Sequence, residues 1–451
     1  MRIRGLSLNG GLTDSTRVSY EDARALRNSS NNAWRLDFSN GNLNNNNNNK
    51  YNNYRVRPVV ASRDIPFLES VIEAYNNCIK NKRTAPQAIE YVKIAAKDVP
   101  VLAQEILENK YYPSTSTCFM VTFPKLREVF AANFRDRIVH HWICLRLNPL
   151  FEKRNMELGD VSHACRKGHG TRSAVKQVSE GIDRVSRNMQ RDAWIYKGDI
   201  VGFFMNIDRK LLWKMLRDLI LKEYKGDYKN ILLRLVKITI FHRPEEDCIV
   251  QSDVRLWENI RKDKSLFYND KNKGEPIGNL TTQLFAGYYL SFLDEFVKSL
   301  FKGKNYSYTR LVDDYVIICD DKEFLKSVVK EVDKFLQEKL FLETHKGVYF
   351  QHVSHGVKFV GKVIKYRRTF VINRTIGRMI TKLRFCLRDC RKGLTSMDCR
   401  RWQSVLNSYI GLISDANSYR KLTEIREMLE SNFFDFFFLQ NRIVKIKKIW
   451  R

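Results

Sequence analysis

Apolar residues recur with helical spacing along most of the chain beyond about residue 64. Phe67, Val71, Ile72 and Tyr75 are separated by one, three or four residues, which places them on one face of a helix. The same periodicity predicts a second helix over about 86–108. Further helices are predicted over 125–153, 208–223, 228–241, 279–301 and 323–339, and from about 373 onwards.

Short runs of β-branched and aromatic residues between these helices predict strands. The segment 194–199 is a strand that ends on the carboxylate of Asp199. Residues 306–311 and 315–319 form a hairpin whose turn, 312–314, carries Asp313 and Asp314. Additional strands are predicted over 117–122, 347–351 and 356–365. Helices mixed with short antiparallel strands indicate the α+β fold class.

The first 62 residues have a different composition from the rest of the chain. They are rich in Asn, Ser and Gly and contain an unbroken Asn run at 44–49. Such a polar tract buries too little apolar surface to offset the entropy lost on ordering. We therefore expect residues 1–62 to be a disordered extension.

The charge balance narrows the class of partner. The chain has 451 residues, with 79 Lys and Arg against 50 Asp and Glu, giving a net charge of +29. This excess is spread along the chain and favours a polyanionic partner, the alternative being a solvated basic surface. The nine cysteines show no zinc or disulfide spacing, which predicts reduced thiols and a cytoplasmic location. No apolar run is long enough for a membrane span and no signal peptide is visible, so no membrane partner is expected.

Three carboxylates carry the chemistry that the sequence suggests. Asp199 and the adjacent Asp313 and Asp314 all lie beside apolar, β-prone residues. An isolated Asp-Asp pair is usually a turn or a helix cap, but strands on both sides and a further Asp upstream favour a cation site. Carboxylate oxygens suit hard divalent cations, and two such ions promote nucleotidyl transfer.

The order of these motifs resembles that of reverse transcriptases, over roughly residues 64–430. The segment 199–208 is similar to the first palm motif of that family, and 311–314 to the second, with Leu311 where the family usually has Tyr. The resemblance implies a right-hand polymerase. Its predicted regions are fingers over 63–192, palm over 193–367 and a basic helical thumb over 368–451.

The resemblance also implies roles for individual residues. Asp199, the backbone carbonyl of Ile200, Asp313 and Asp314 are expected to bind two Mg²⁺ ions, with Mn²⁺ as a substitute. Phe204 matches the position at which the family places a ring beneath the sugar, where it excludes a 2′-hydroxyl. The alternative is that Phe204 is a core residue.

A third motif indicates a subtype. Reverse transcriptases typically have Gln-Gly followed by Ser-Pro, whereas this chain has Ile277-Gly278 followed by Thr282-Gln283. This combination resembles the enzymes of diversity-generating retroelements and implies errors opposite template adenines. Ile277, Gly278 and Gln283 are therefore expected at the nucleotide site, with Gly278 allowing close backbone approach. An ordinary helix start is the alternative.

Basic residues complete the candidate site. Arg166 and Lys167 lie in a Gly-rich loop that resembles the fingers motif and suits triphosphate binding, although a solvated loop is the alternative. Arg127 is expected to contact the template backbone, or else to form an internal salt bridge. Lys346 is expected to act as a general acid towards pyrophosphate.

The resulting expectation is an RNA-directed DNA polymerase that copies a template RNA into cDNA from dNTPs. Its expected partners are the template RNA, an RNA/DNA hybrid and a small helical accessory protein. Residues 1–62 resemble a translated template repeat of such an element. Two alternatives remain open, a phage-defence reverse transcriptase and a non-catalytic RNA-binding protein on the same fold.

Overall fold

The computed structural model describes residues 65–80, 82, 85–122, 125–345, 349–441 and 443–447. It also assigns four short strands nearer the N-terminus, β1 (Gly5–Leu6), β2 (Leu12–Thr13), β3 (Ala33–Asp37) and β4 (Asn42–Asn46). β1 pairs with β2, and β3 with β4, both antiparallel. The rest of the extension predicted over 1–62 lies outside the described residues, as does Lys346.

Helices and short strands alternate along the described chain, which confirms the predicted α+β class. The helices are α1 (Ile65–Ile79), α2 (Pro86–Leu107), α3 (Phe134–Glu157), α4 (Thr171–Val185), α5 (Phe203–Asn206), α6 (Arg209–Glu223), α7 (Lys229–Phe241), α8 (Leu280–Leu300), α9 (Lys322–Leu340), α10 (Asn373–Lys392), α11 (Ser396–Ser414), α12 (Tyr419–Glu427) and α13 (Ser431–Phe436). The remaining strands are β5 (Ser116–Val121), β6 (Arg127–Ala131), β7 (Trp194–Asp199), β8 (Cys248–Val250), β9 (Tyr306–Leu311), β10 (Asp314–Cys319), β11 (Tyr349–His352), β12 (Val357–Phe359), β13 (Lys362–Lys365), β14 (Arg368–Val371), β15 (Phe437–Gln440) and β16 (Ile443–Ile446).

The chain divides into two compact units, neither of which is continuous in sequence. The first comprises Met1–Glu157, Gly202–Leu290 and Leu340–Leu342, and the second comprises the rest. These divisions do not test the predicted fingers, palm and thumb boundaries, which stay predictions.

A four-stranded antiparallel sheet forms the centre of the second unit, in the order β11-β7-β10-β9. α4 packs on one face, where Val178 and Ile182 meet Ile195, Val316 and Ile318 in a single buried cluster. β10 is buried at every position after Asp314. This burial on both faces explains its unbroken apolar sequence. The predicted strand and hairpin around the carboxylates are therefore confirmed.

The C-terminal part of the second unit has its own apolar core, built from α10 to α13. Its buried residues include Leu383, Trp402 and Phe433. The prediction of an all-helical region beyond about 373 was wrong in one respect, because β15 and β16 form an antiparallel hairpin there. Phe437, Val444 and Ile446 of this hairpin are buried in the same core.

Two other boundaries also differ from the prediction. The helix predicted from 125 begins only at Phe134, because Arg127–Ala131 pairs with β5 as strand β6. The strand predicted over 356–365 is two strands, β12 and β13, joined by a turn in which Val360 and Gly361 have positive φ angles of 42° and 81°. Both differences arise from strand pairing, which local periodicity does not encode.

Every helix within the described ranges is too short or too polar to cross a lipid bilayer.

Gly181 of α4 provides a test of the packing between this helix and the sheet. A Cβ atom at position 181 would lie 2.3 Å from Ser307 Oγ of β9, whereas one at Gly377 of α10 would meet nothing within 4 Å. We expect Gly181→Ala to lower the free energy of unfolding by about 1–3 kcal/mol through overpacking. Gly377→Ala, the matched control in an exposed helix position, should raise it by about 0.5–1 kcal/mol. Urea unfolding measures both, and equal effects of the two substitutions would contradict the described packing.

Candidate metal and nucleotide site

The sheet of the second unit brings two of the three predicted carboxylates together. β7 and β10 are antiparallel neighbours, and Asp199 is the register partner of Asp314. Cα atoms of residues in this relationship are about 4.5–5.5 Å apart, so the two carboxylates share one end and one face of the sheet. Asp313 precedes Asp314 in the two-residue turn between β9 and β10. The three residues thus lie at one end of the two central strands, although Asp199 is far from Asp313 and Asp314 in sequence.

Gly198 is required immediately before Asp199. It is the register partner of Tyr315, and a Cβ atom at position 198 would lie 2.1 Å from the Tyr315 ring. The glycine leaves room for this ring, which is fully buried. The residues adjacent to the two carboxylates therefore pack against each other on the opposite face of the sheet.

Lys197 is a component of this site that the sequence analysis missed. Its Nζ lies 2.8 Å from Asp314 Oδ1, and both side chains are about three-quarters buried. Residues two apart on a strand share a face, so Lys197 and Asp199 point the same way. That spacing was the available signal. The ammonium group offsets part of the negative charge that the two carboxylates bring together.

The backbone around Ile200 fits the predicted role of its carbonyl. Asp199 O accepts a hydrogen bond from His345 N at 2.9 Å, and Val201 N donates to Glu343 O at 2.8 Å. Because successive peptide groups of an extended chain point to opposite sides, the Ile200 carbonyl is directed away from 343–345 and towards β10. The Ile200 carbonyl and the carboxylates at this end of the strands are oxygen donors of the kind that Mg²⁺ prefers.

No ready-made metal cage exists in the part of the chain that the structure describes, where no three His, Cys, Asp or Glu side chains form a suitable group. The structure shows the Asp199–Asp314 pair and the Lys197 ammonium beside it. Binding of two ions by all three carboxylates therefore stays a prediction.

The loop with the two predicted phosphate-binding cations lies in the second unit. Arg166 is almost fully buried, with Nη2 2.6 Å from Asp160 Oδ1, and its Nη1 donates to Ser162 O at 2.6 Å. Lys167 is exposed. In this conformation Arg166 holds the loop together, and Lys167 is the cation that a phosphate can reach directly.

Phe204 and Ile277 belong to the first unit, where both pack against one apolar cluster. The buried members of this cluster are Cys118, Phe130, Met205 and Leu266. The backbone joins the same segments, since Glu275 N donates to Phe204 O and Phe130 N donates to Ile277 O, both at 2.8 Å. Both side chains are half-buried. The core role considered for Phe204 is thus present in part, and each side chain retains an accessible portion.

Gly278 meets a demand of the fold itself. Its φ is +134°, and a Cβ atom there would lie 2.5 Å from Phe130 O. The close approach that the glycine allows is therefore to β6 of its own chain. Beside it lies a cavity of about 410 Å³ whose lining includes Phe119, Arg137 and His140.

The remaining predicted residues occupy exposed positions. Gln283 lies on the first turns of α8, and Arg127 is the first residue of β6. Asp208 caps α6, with its Oδ1 accepting a hydrogen bond from Leu211 N at 2.7 Å.

Glu275 is a second residue that sequence reasoning missed. It is buried two residues before Ile277, and burial raises the pKa of its carboxyl to about 8 although the Arg209 guanidinium opposes this shift. Arg209 Nε donates to Gly274 O at 2.7 Å, which ties α6 to the same loop. The loop before Gly278 thus rests on a buried carboxyl that favours its neutral form.

Proteins with sequences similar to this chain include a group II intron-encoded protein and the protein YkfC. The chain is 22% identical over 302 residues to the group II intron-encoded protein LtrA of Lactococcus lactis subsp. cremoris, covering 65% of this chain and 45% of LtrA. It is 21% identical over 311 residues to the protein YkfC of Escherichia coli strain K12, covering 61% of this chain and 73% of YkfC. The chain thus spans about half the length of LtrA. The similarity to LtrA supports the reverse-transcriptase resemblance at a coarse level.

Similar solved structures include yeast telomerases. Telomerase of Candida albicans in complex with a TWJ fragment of telomeric RNA has a TM-score of 0.41 at 12% identity, covering 76% of this chain and 62% of that one. Apo telomerase of Candida tropicalis, truncated from its C-terminal domain, has a TM-score of 0.39 at 13% identity, covering 57% and 53%. No protein-family model matches the chain.

Glu275→Gln tests the buried carboxyl. The pKa of Glu275 is about 8 in the folded chain, against an ordinary value of 4.5, so the folded state holds this proton more tightly than the unfolded state does. Its contribution to stability is therefore full below about pH 4.5 and falls as the pH rises towards 8. In Glu275→Gln this fall should disappear, leaving the variant more stable than wild type at pH 8.

Urea unfolding across that pH range measures the effect, which should be on the order of a few kcal/mol at pH 8. The exposed Glu331 of α9 offers a matched control, Glu331→Gln. If Glu275→Gln and Glu331→Gln gave the same pH profile as wild type, the burial of a neutral carboxyl at 275 would be refuted.

Proposed function

We propose that this protein is a reverse transcriptase, an RNA-directed DNA polymerase that copies a template RNA into cDNA. The observation that carries the proposal is the register of β7 and β10, in which Asp199 is the direct partner of Asp314. Asp313 precedes Asp314 in the adjoining turn. The sequence similarity to a group II intron-encoded protein supports the same conclusion.

The proposed chemistry is attack of a primer 3′-hydroxyl on the α-phosphate of a dNTP. Asp199, Asp313, Asp314 and the Ile200 carbonyl would hold two Mg²⁺ ions, which when bound activate the attacking oxygen and stabilise the leaving pyrophosphate. The pairing of Asp199 with Asp314 across the sheet supports this proposal, in which catalysis would be largely positioning and charge stabilisation. Lys197 would turn from Asp314 when cations bind, since its ammonium group and the cations would compete for the same carboxylate.

Other residues are proposed to bind the substrate. Lys167 would contact the triphosphate directly, and Arg166 would keep its loop in shape through Asp160. Phe204 would exclude the 2′-hydroxyl of a ribonucleotide with its accessible portion. Lys346 keeps its proposed role as a general acid towards pyrophosphate.

The basic charge is proposed to serve nucleic-acid binding. A net charge of +29 and the many Lys and Arg side chains of α10 to α12 suit the phosphates of template RNA and an RNA/DNA hybrid. Arg127, exposed at the start of β6, would contribute to template contact. Binding of this kind weakens as salt concentration rises. A small helical accessory protein remains part of the proposal, since a basic surface is available to it.

We further propose that the enzyme is of the diversity-generating retroelement type and makes errors opposite template adenines. The support is the combination of Ile277-Gly278 with Thr282-Gln283. Ile277 packs against an apolar cluster together with Phe204. An apolar side chain at 277 offers no hydrogen bond to substrate, so that geometric discrimination between correct and incorrect pairs loses a polar component.

Substitution of the carboxylates tests the polymerase proposal. Asp199→Asn, Asp313→Ala and Asp314→Ala each remove a proposed metal ligand and should reduce primer extension on an RNA template by about 10²- to 10³-fold. Asp218→Ala, which removes a half-exposed carboxylate on α6, is the matched control and should retain activity. Radiolabelled dNTP incorporation with Mg²⁺ measures all four. Unchanged primer extension by the Asp313→Ala/Asp314→Ala double variant would rule out metal catalysis at these carboxylates and favour the non-catalytic alternative.

Ile277→Gln tests the error-prone subtype. Restoring a polar side chain at 277 should lower misincorporation opposite template adenine by several-fold, about 3- to 10-fold for one regained hydrogen bond. The other template bases should show a smaller change. Single-nucleotide incorporation opposite each template base gives the ratios, and Ile277→Leu, which stays apolar, is the control. If wild type and Ile277→Gln misincorporated opposite adenine at the same rate, the proposed role of Ile277 in fidelity would be wrong.

A further inference from the structure

A fully buried ion pair lies directly behind the carboxylate turn. Arg310 of β9 and Asp294 of α8 both have side chains with 0% exposure. Arg310 Nε donates to Asp294 Oδ1 at 2.7 Å and Nη2 donates to Oδ2 at 2.5 Å, which is a two-bond fork. A pair removed from water in this way is retained only where its geometry is good and its other polar atoms are satisfied.

The other polar atoms of the pair are used to fix the surrounding structure. Tyr308 Oη donates to Asp294 Oδ1 at 2.8 Å. The backbone of Arg310 is also held, since Arg310 N donates to Val161 O at 2.8 Å and His163 N donates to Arg310 O at 3.0 Å. Residues 161–163 therefore lie along β9 like a further strand. Arg310 is held by its side chain and by both of its backbone groups.

The third nitrogen of the Arg310 guanidinium group, which is not part of the fork, reaches the carboxylate turn itself. Arg310 Nη1 donates to Val312 O at 3.0 Å. Val312 has a positive φ of 59°, a conformation that a β-branched residue adopts only when its surroundings impose it. The carbonyl of Val312 belongs to the same peptide plane as the amide of Asp313, so the hydrogen bond fixes the orientation of the chain as it enters Asp313 and Asp314.

We propose that the Arg310–Asp294 pair is the positioning device for Asp313 and Asp314, and that its loss acts first on metal binding. This inference rests on the proposed function and deepens it. The Arg310 side chain is fully buried, and its proposed action on the carboxylates runs through the Val312 carbonyl. The planar guanidinium group bonds Asp294 and Val312 at once, which a lysine with its single ammonium group cannot reproduce.

Arg310→Lys tests the proposal in the full chain because it keeps the charge and removes the fork. Thermal unfolding first establishes that the variant folds. Binding of Mn²⁺, followed by electron paramagnetic resonance, then reports the metal site without requiring activity. We expect the Mn²⁺ dissociation constant and the half-saturating Mg²⁺ concentration for primer extension each to rise by about 10- to 100-fold, as for other groups that orient metal ligands. The KM for dNTP at saturating Mg²⁺ should change little.

Arg135→Lys is the matched control. Arg135 of α3 is partly buried, its Nε donates to both carboxylate oxygens of Asp98 of α2 at 3.1 Å, and its Nη1 donates to Glu105 Oε2 at 2.8 Å, so it too bridges acceptors through its guanidinium group. Its substitution should cost stability and leave the Mn²⁺ dissociation constant unchanged. If Arg310→Lys folds and binds Mn²⁺ as wild type does, the positioning role is refuted.

Tyr308→Phe provides a second, milder variant in case Arg310→Lys does not fold. It removes only the hydroxyl that donates to Asp294, so that Mn²⁺ binding should weaken in the same direction by a smaller factor. An unchanged Mn²⁺ dissociation constant in a folded Tyr308→Phe would likewise overturn the proposal. A wild-type chain that extends no primer would refute the polymerase function itself, an outcome distinct from either result.

Discussion

Electrostatic repulsion between carboxylates at the ends of two paired strands is the constraint on which the candidate site depends. Asp199 and Asp314 are direct cross-strand partners, an arrangement in which like charges destabilise a strand pair. The Lys197 ammonium, 2.8 Å from Asp314, relieves part of this repulsion. The apolar cluster beneath α4 holds the strands together against the remainder. A cation bound between these two carboxylates would remove repulsion that the sheet otherwise bears, which is the physical basis of the proposed metal site.

In the first unit, the loop that ends at Gly278, where φ is +134°, is held next to the aromatic side chains of Phe130 and Phe204. The residues before Gly278 are hydrogen-bonded to α5 and to β6. Gly278 itself lies against the Phe130 carbonyl. The segments that carry Phe204 and Ile277 are therefore linked by backbone hydrogen bonds, and both side chains pack against the same apolar cluster. A change at either residue is expected to affect the other, so that the roles proposed for Phe204 in sugar selection and for Ile277 in fidelity are expected to be coupled.

The elements that the sequence could predict are those whose signal is local. β7, the hairpin of β9 and β10, and α8 each carry their own periodicity, and the Asp-Asp turn is visible between two apolar strands. The sequence predicts helix where β6 lies, because the pairing of β6 with β5 is a tertiary event that local periodicity does not encode. Lys197 and Glu275 were missed since their chemistry depends on a cross-strand neighbour and on burial. The Arg310–Asp294 pair joins residues 16 apart on different elements, and no pattern in either segment indicates the other.

The six-residue register between β7 and β10 also limits how the gene can change in length. The ladder runs from Asp314 opposite Asp199 to Cys319 opposite Trp194. Because side chains alternate between faces, deleting or inserting one codon within either strand would send its acidic residue to the wrong side of the sheet. Length variation among natural variants should therefore collect in the connections, for example around 187–193, and be absent from these two segments.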